Sequence, residues 1–294
     1  PIIVNCNNNS SSTKYHTELH FRNVNSYLDY RDEGISSNDV TMSTIYSIFS
    51  LVWFMNILFF SSFSINISYM LSILPPIKAI SLSLTAATYE SRSYLDDVSN
   101  ILFFSNIFVN SVHLFLFSLF IGIICDGYGV LYENFRISSL QNYGFSSFGF
   151  AFSVFLINFF ENKDIIFYLL FSSLIFGFYF FNLLNQSLLT TVIIQRRTNS
   201  LIVMQKSSHV LYFNLSVIGF LIIITTFQCF AIFKEIDHNL SDVIIELIQF
   251  SLYALMAFFF MLRKSFKGEE LPFSQTEACY LSEPNNKDFV FVQK

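Results

Sequence analysis

The chain has 294 residues, of which 53% are hydrophobic and only 13% charged, and Phe alone occurs 39 times. A soluble domain carries about 25% charged residues, and one aqueous core of this length cannot absorb so many phenylalanines. The excess apolar surface must face lipid, so the chain reads as a polytopic membrane protein with the bilayer as its first partner. The net charge of −5 comes with no basic stripe interleaved with aromatics, which sets nucleic acid aside. Cys6, Cys125, Cys229 and Cys279 show no CxxC spacing for zinc or redox work.

In chain order, residues 1–42 are polar with scattered apolar positions, as in "YHTELHFRNVNSYLDY". That stretch is too short for its own core and reads as the end of a larger lumenal or extracellular β-domain, truncated here. A membrane span needs about 20 mostly apolar residues. Seven windows follow, at roughly 43–64, 69–89, 100–125, 145–160, 165–185, 209–233 and 243–262. The fourth is short and interrupted by Gly144 and Gly149, and "ENKD" (161–164) makes a tight polar turn into the fifth. Residues 263–294 mix charge, Pro and Asn and read as a flexible cytosolic tail. The expected fold class is all-α: a seven-transmembrane-helix bundle over 43–262.

Basic residues in short loops orient the bundle. The connection "QSLLTTVIIQRRTNSLIVMQKSSH" holds Arg196, Arg197 and Lys206 and no acid, while Arg263, Lys264 and Lys267 follow the seventh span. Both fall on one side of a seven-span chain, which puts the C-terminus in the cytosol and the N-terminus outside or in a lumen. Asn8, Asn9 and Asn239 then begin N-x-S triplets on the lumenal side, as glycosylation acceptors require. Asn66, Asn185 and Asn214 begin the same triplet on the cytosolic side or inside spans, where it is a chance match.

Ionisable groups deep in a span face a bundle interior or a water-filled cavity. Lys78 lies near the middle of span two; Asn106, Asn110 and His113 share one face of span three; Glu246 and Gln249 share a face of span seven; Asp126 ends span three. These residues either line a polar cavity, with Lys78 paired to Glu246 or placed near His113, or pin helices together with no ligand. Pro75 and Pro76 remove backbone donors just before Lys78 and predict a kink, around a pocket or for packing alone.

The marks of rhodopsin-like receptors are missing: span three ends in "ICDGYGVLYENF" without D-R-Y, and span seven has no proline. Of five histidines only His113 is well inside a span, so no metal-dependent hydrolase site can assemble, and neither an enzyme nor a cofactor is expected.

The stretch "NSYLDYRDEGISSNDVTMSTIYSIFSLVWF" with Trp53, then "LPPIKAISLSL", then Gly127-Tyr128-Gly129 in "IGIICDGYGVLYENF" resembles the GOST group, the lung seven-transmembrane receptor-like proteins with a lumenal GOLD-type β-domain. Tyr132-Glu133 stands where that family has a basic residue and Pro. The resemblance implies a protein of Golgi, endosomal or plasma membranes in trafficking or cargo reception, with a lipid or lipidated ligand in the bundle and a coat or adaptor at the cytosolic face. It also implies that Cys6 pairs with a cysteine upstream. Two other expectations stand beside it: a signalling receptor coupling to a G protein through "QRRTNSLIVMQK", and a channel or transporter using a Lys78 pocket.

Overall fold

A computed structural model describes residues 34–59, 66–94, 99–131, 137–160, 163–197, 201–234 and 238–260. The lumenal sequons Asn8 and Asn9, most of the segment assigned to a β-domain and the tail after 262 lie outside the described residues. The described chain is almost entirely helical: α1 (Ile35–Phe59), α2 (Asn66–Ser72), α3 (Leu74–Tyr94), α4 (Asn100–Cys125), α5 (Ile137–Phe159), α6 (Lys163–Arg197), α7 (Leu201–Lys234) and α8 (His238–Phe260). Among the described residues, six stretches are long and apolar enough to cross a bilayer: α1, α2 with α3 together, α4, α6, α7 and α8. They mark the chain as an integral membrane protein.

Its packing differs from that of a soluble domain. Phe59, Ile101, Phe167, Tyr168, Leu174 and Phe178 are exposed, while Ser43, Ser50, Ser81, Ser146 and Ser153 are buried. Lipid tails are as apolar as Phe, so large side chains can also face outward, and small residues that let backbones approach share the interfaces with buried rings such as Tyr46, Trp53 and Phe213. Between α1 and α3 this makes a seam. Ser36, Ser43 and Ser50 recur every seven residues along α1, and the first two donate to the Ala86 and Ala79 carbonyls at 3.2 and 2.8 Å.

The long helices pack in sequence around a ring, α1 on α3, α3 on α4, and so on to α8, which returns to α1. α4 also reaches α6 and α7, which places it inward of its neighbours.

The element boundaries differ from the sequence reading in three instructive ways. α1 begins at Ile35 and α5 at Ile137, each eight residues before the apolar window: the first turn of α1 is partly covered, with Ile35 and Asp39 buried, whereas the polar first turn of α5 is exposed and helical all the same. The basic connection between the fifth and sixth windows is not a loop: α6 runs to Arg197 and α7 starts at Leu201. At 35 and 34 residues these helices are each about 50 Å long, well beyond the ~30 Å hydrocarbon thickness, so their polar ends project past it as helix.

The third difference is at the prolines, where the kink is a full break. Pro75 and Pro76 fall in the first turn of α3, where a missing N–H is tolerated. They leave the Leu71 and Ser72 carbonyls without their i+4 donors, and the chain turns at Ile73. The Ile73 N–H donates to Met70 and its carbonyl accepts from Ile77, both at 3.4 Å.

Candidate functional site in the bundle interior

Lys78 follows that break within one turn. Its side chain is 7% exposed and its Nζ lies 2.7 Å from Oε1 of Glu246, the short geometry of a charge-assisted bond. The pair joins α3 to α8 directly. His113 on α4, buried, has Nε2 2.7 Å from the Tyr253 hydroxyl on α8. Three of the sequence-predicted groups, Lys78, His113 and Glu246, therefore converge on α8. Of the arrangements expected, the structure has Lys78 paired to Glu246, while His113 contacts Tyr253; a groove of about 380 Å³ lies elsewhere, between α4 and α5, lined by Phe104, Phe108, Phe115, Phe148 and Phe152.

The other predicted members are peripheral. Asn106 accepts from the Thr85 hydroxyl at 2.9 Å, and the Ser81 hydroxyl comes within 3.5 Å of Asn110, so both serve the α3–α4 contact. Asn110 is exposed and Gln249 half-buried. The three polar positions on α4 spread over a stripe wider than the interior they were expected to line.

Two further side chains belong to the interior cluster and were not anticipated. Asp39, on the first turns of α1, is 7% exposed and within electrostatic reach of Lys78, Glu246 and Asp242. Tyr46, two turns on, is fully buried and within reach of Glu246. Asp39 Oδ2, the Tyr46 hydroxyl and Glu246 Oε2 are all buried without a hydrogen-bond partner.

Below the cluster, toward the C-terminus of α1, aromatic rings close the interior. Tyr46 meets Tyr253 and Phe250 edge-on at 5.3 and 5.4 Å, Phe117 lies 5.5 Å from Tyr253, and Phe49 links Phe250 to the buried Trp53. Such edge-to-face pairs add to simple burial.

A second junction forms where α4 ends. Gly127 (φ 96°) and Gly129 (φ 68°) take the left-handed backbone that Gly permits. The Gly127 N–H donates to Ile124 at 2.9 Å and the Tyr128 N–H to Ile123 at 3.3 Å, a Schellman closure. The last carbonyl, that of Cys125, accepts from Asn214 Nδ2 on α7 at 2.8 Å and from Ser187 Oγ on α6 at 3.2 Å; the same hydroxyl is 3.2 Å from Asp126 Oδ1. An orphan carbonyl at a helix end thus ties three helices together. Asn214, read in the sequence only as a chance sequon, is fully buried. The signal that could have found it is an amide alone in "LYFNLSVIGF", since buried amides in spans are helix glue.

Of the basic positions, Arg196 and Arg197 are exposed at the end of α6, whereas Lys206 is buried, because its turn of α7 faces α6 near the Gln195–Ser208 bond at 3.0 Å. Lys206 therefore does not present itself to a partner as expected. Asn239 falls in the first turn of α8 and not in the loop that a sequon implies. No protein-family model matches the chain, and no curated protein matches it either.

Proposed function

We propose that the chain is a seven-span membrane protein of the secretory pathway, with a lumenal N-terminus and a cytosolic C-terminus, that acts as a trafficking or cargo receptor at Golgi, endosomal or plasma membranes. The observation that supports the seven-span topology in this reading is the ring. α5 is a 23-residue helix packed between α4 and α6, about 34 Å long, so it spans the hydrocarbon as a seventh member although its Ser, Gly, Asn and Gln lower its apolarity. An odd number of spans puts the termini on opposite faces.

The resemblance to the GOST group supports the trafficking assignment through α1–α4: Trp53 is buried, and Gly127-Tyr128-Gly129 is a defined turn whose glycines need positive φ. In this reading the N-terminal segment meets the client, the bundle holds a lipid or lipidated group, and Arg196 and Arg197 at the tip of the α6–α7 hairpin meet an acidic coat or adaptor surface. A signalling receptor is the second reading. It is favoured by the Cys125 carbonyl, which couples α4 to the two helices that carry the basic tip.

The test uses the full chain tagged at each terminus in cells. Tags on opposite faces, Golgi or endosomal residence, and redistribution in Arg196→Ala/Arg197→Ala are expected. Both tags on one face would leave six spans and overturn the topology. Unchanged distribution of the double variant together with G-protein activation would favour the signalling reading.

A further inference from the structure

The interior cluster carries an unequal charge. α1 contributes Asp39 and Tyr46, α3 contributes Lys78, α4 contributes His113, and α8 contributes Asp242, Glu246 and Tyr253. Asp242 is only half-buried and has an interaction of its own, so the buried balance is between two acids, Asp39 and Glu246, and one ammonium, which is committed to Glu246 at 2.7 Å. Asp39 is left as a second buried acid with no cation at bonding distance among the described residues and Oδ2 unpartnered. Burying an uncompensated carboxylate costs several kcal/mol, so this interior calls for one further positive charge.

A metal ion is a poor candidate for that charge, because among the described residues no three His, Cys, Asp or Glu side chains converge on a common point. A proton needs one oxygen only. It also converts Asp39 from a pure acceptor into a donor, in a cluster where Glu246 Oε2 lacks one.

The acids 39, 242 and 246 lie toward the end of the bundle that holds the start of α1 and of α8, and the rings of Tyr46, Phe49, Trp53, Phe117, Phe250 and Tyr253 close the other direction. We propose that Asp39, beside the Lys78–Glu246 pair, is a proton-binding site of the bundle, loaded from water at the α1 N-terminal end and sealed from the opposite face. The step is a simple protonation: a proton from that water adds to a carboxylate oxygen, the second acid becomes neutral, and Lys78–Glu246 remains as the single ion pair. The inference stands apart from what the receptor carries, since it concerns only α1, α3, α4 and α8.

The test is infrared difference spectroscopy on the full-length protein in lipid nanodiscs, titrated from about pH 9 to about pH 4, a range that extends well above the ordinary Asp value. A carboxylic-acid stretch typical of an apolar setting is expected to grow as pH falls, to shift when aspartate is carbon-13 labelled, and to vanish in Asp39→Asn. Asp39→Glu should restore the band without the aspartate isotope shift, which keeps the test decisive if the Asn variant fails to fold. No band in the wild type, or a band that survives Asp39→Asn, overturns the proposal. A band that responds to sodium at fixed pH would assign the site to a metal cation and overturn it as well.

Discussion

Lys78 Nζ and Glu246 Oε1 lie 2.7 Å apart across 168 residues of sequence, so the first turn of α3 is fastened to α8 by charge in the interior of the bundle. Leaving one member of a buried pair uncompensated costs about 3 to 5 kcal/mol, whereas an apolar replacement of both is near neutral. Lys78→Met and Glu246→Gln should each lower the unfolding midpoint strongly, Lys78→Met more so, because it leaves Glu246 beside Asp39. Lys78→Met/Glu246→Met should recover most of the loss. Additive losses in thermal unfolding of the purified variants would show that the two side chains do not act as a pair.

The Cys125 carbonyl gives a different non-additivity. Asn214→Leu removes one of its donors but also the unpartnered Asn214 Oδ1, so the loss should be about 1 kcal/mol, the low end for a buried bond. Ser187→Ala should cost about as much, since Asn214 still serves the carbonyl. Together they orphan a buried acceptor, and the double variant should lose more than the sum of the two. Simple addition in the same unfolding assay would mean that water reaches this helix end.

Two glycines of adjacent helices make a matched control. A Cβ on Gly122 would clash with the Cδ1 edge of the Tyr143 ring, which is buried and anchored by its hydroxyl to the Leu183 carbonyl at 3.2 Å. Gly122→Ala should therefore cost about 1 to 3 kcal/mol by overpacking. A Cβ on Gly144 meets nothing within 4 Å, and Gly144→Ala should be neutral or gain up to about 1 kcal/mol from helix propensity. Equal melting temperatures for the two variants would contradict the α4–α5 packing described above.

Lys78, His113 and Glu246 were legible because an ionisable group in an apolar run has few destinations other than the interior. Asp39 was not, since a ruler that counts apolar residues starts the first span after it, and only the earlier start of α1 brings the acid inside. The same ruler took the basic connection for a loop, because it cannot tell a polar helix end from a coil. The orphan carbonyl of Cys125 has no sequence signature, so Asn214 and Ser187 acquire meaning only when α6 and α7 are seen beside α4. The seam of Ser36 and Ser43 against α3 likewise emerges only when α1 and α3 are seen side by side.

His113 and Tyr253 allow the interior to be dissected without removing bulk. Tyr253→Phe keeps the ring that packs on Tyr46 and Phe117 and deletes only the hydroxyl 2.7 Å from His113 Nε2. His113 is 2% exposed, so water cannot take the place of that hydroxyl, and an unsatisfied buried group costs about 1 to 3 kcal/mol. In a His113→Leu background the imidazole is already gone, and the same Tyr253→Phe change removes a hydroxyl that itself has lost its partner. The substitution should therefore be destabilising in the wild type and neutral or stabilising in the His113→Leu background, an opposite sign that a double-mutant cycle on unfolding midpoints reads directly. The same sign in both backgrounds would mean that the hydroxyl serves a group other than His113, and α4 would then be held to α8 by ring packing alone.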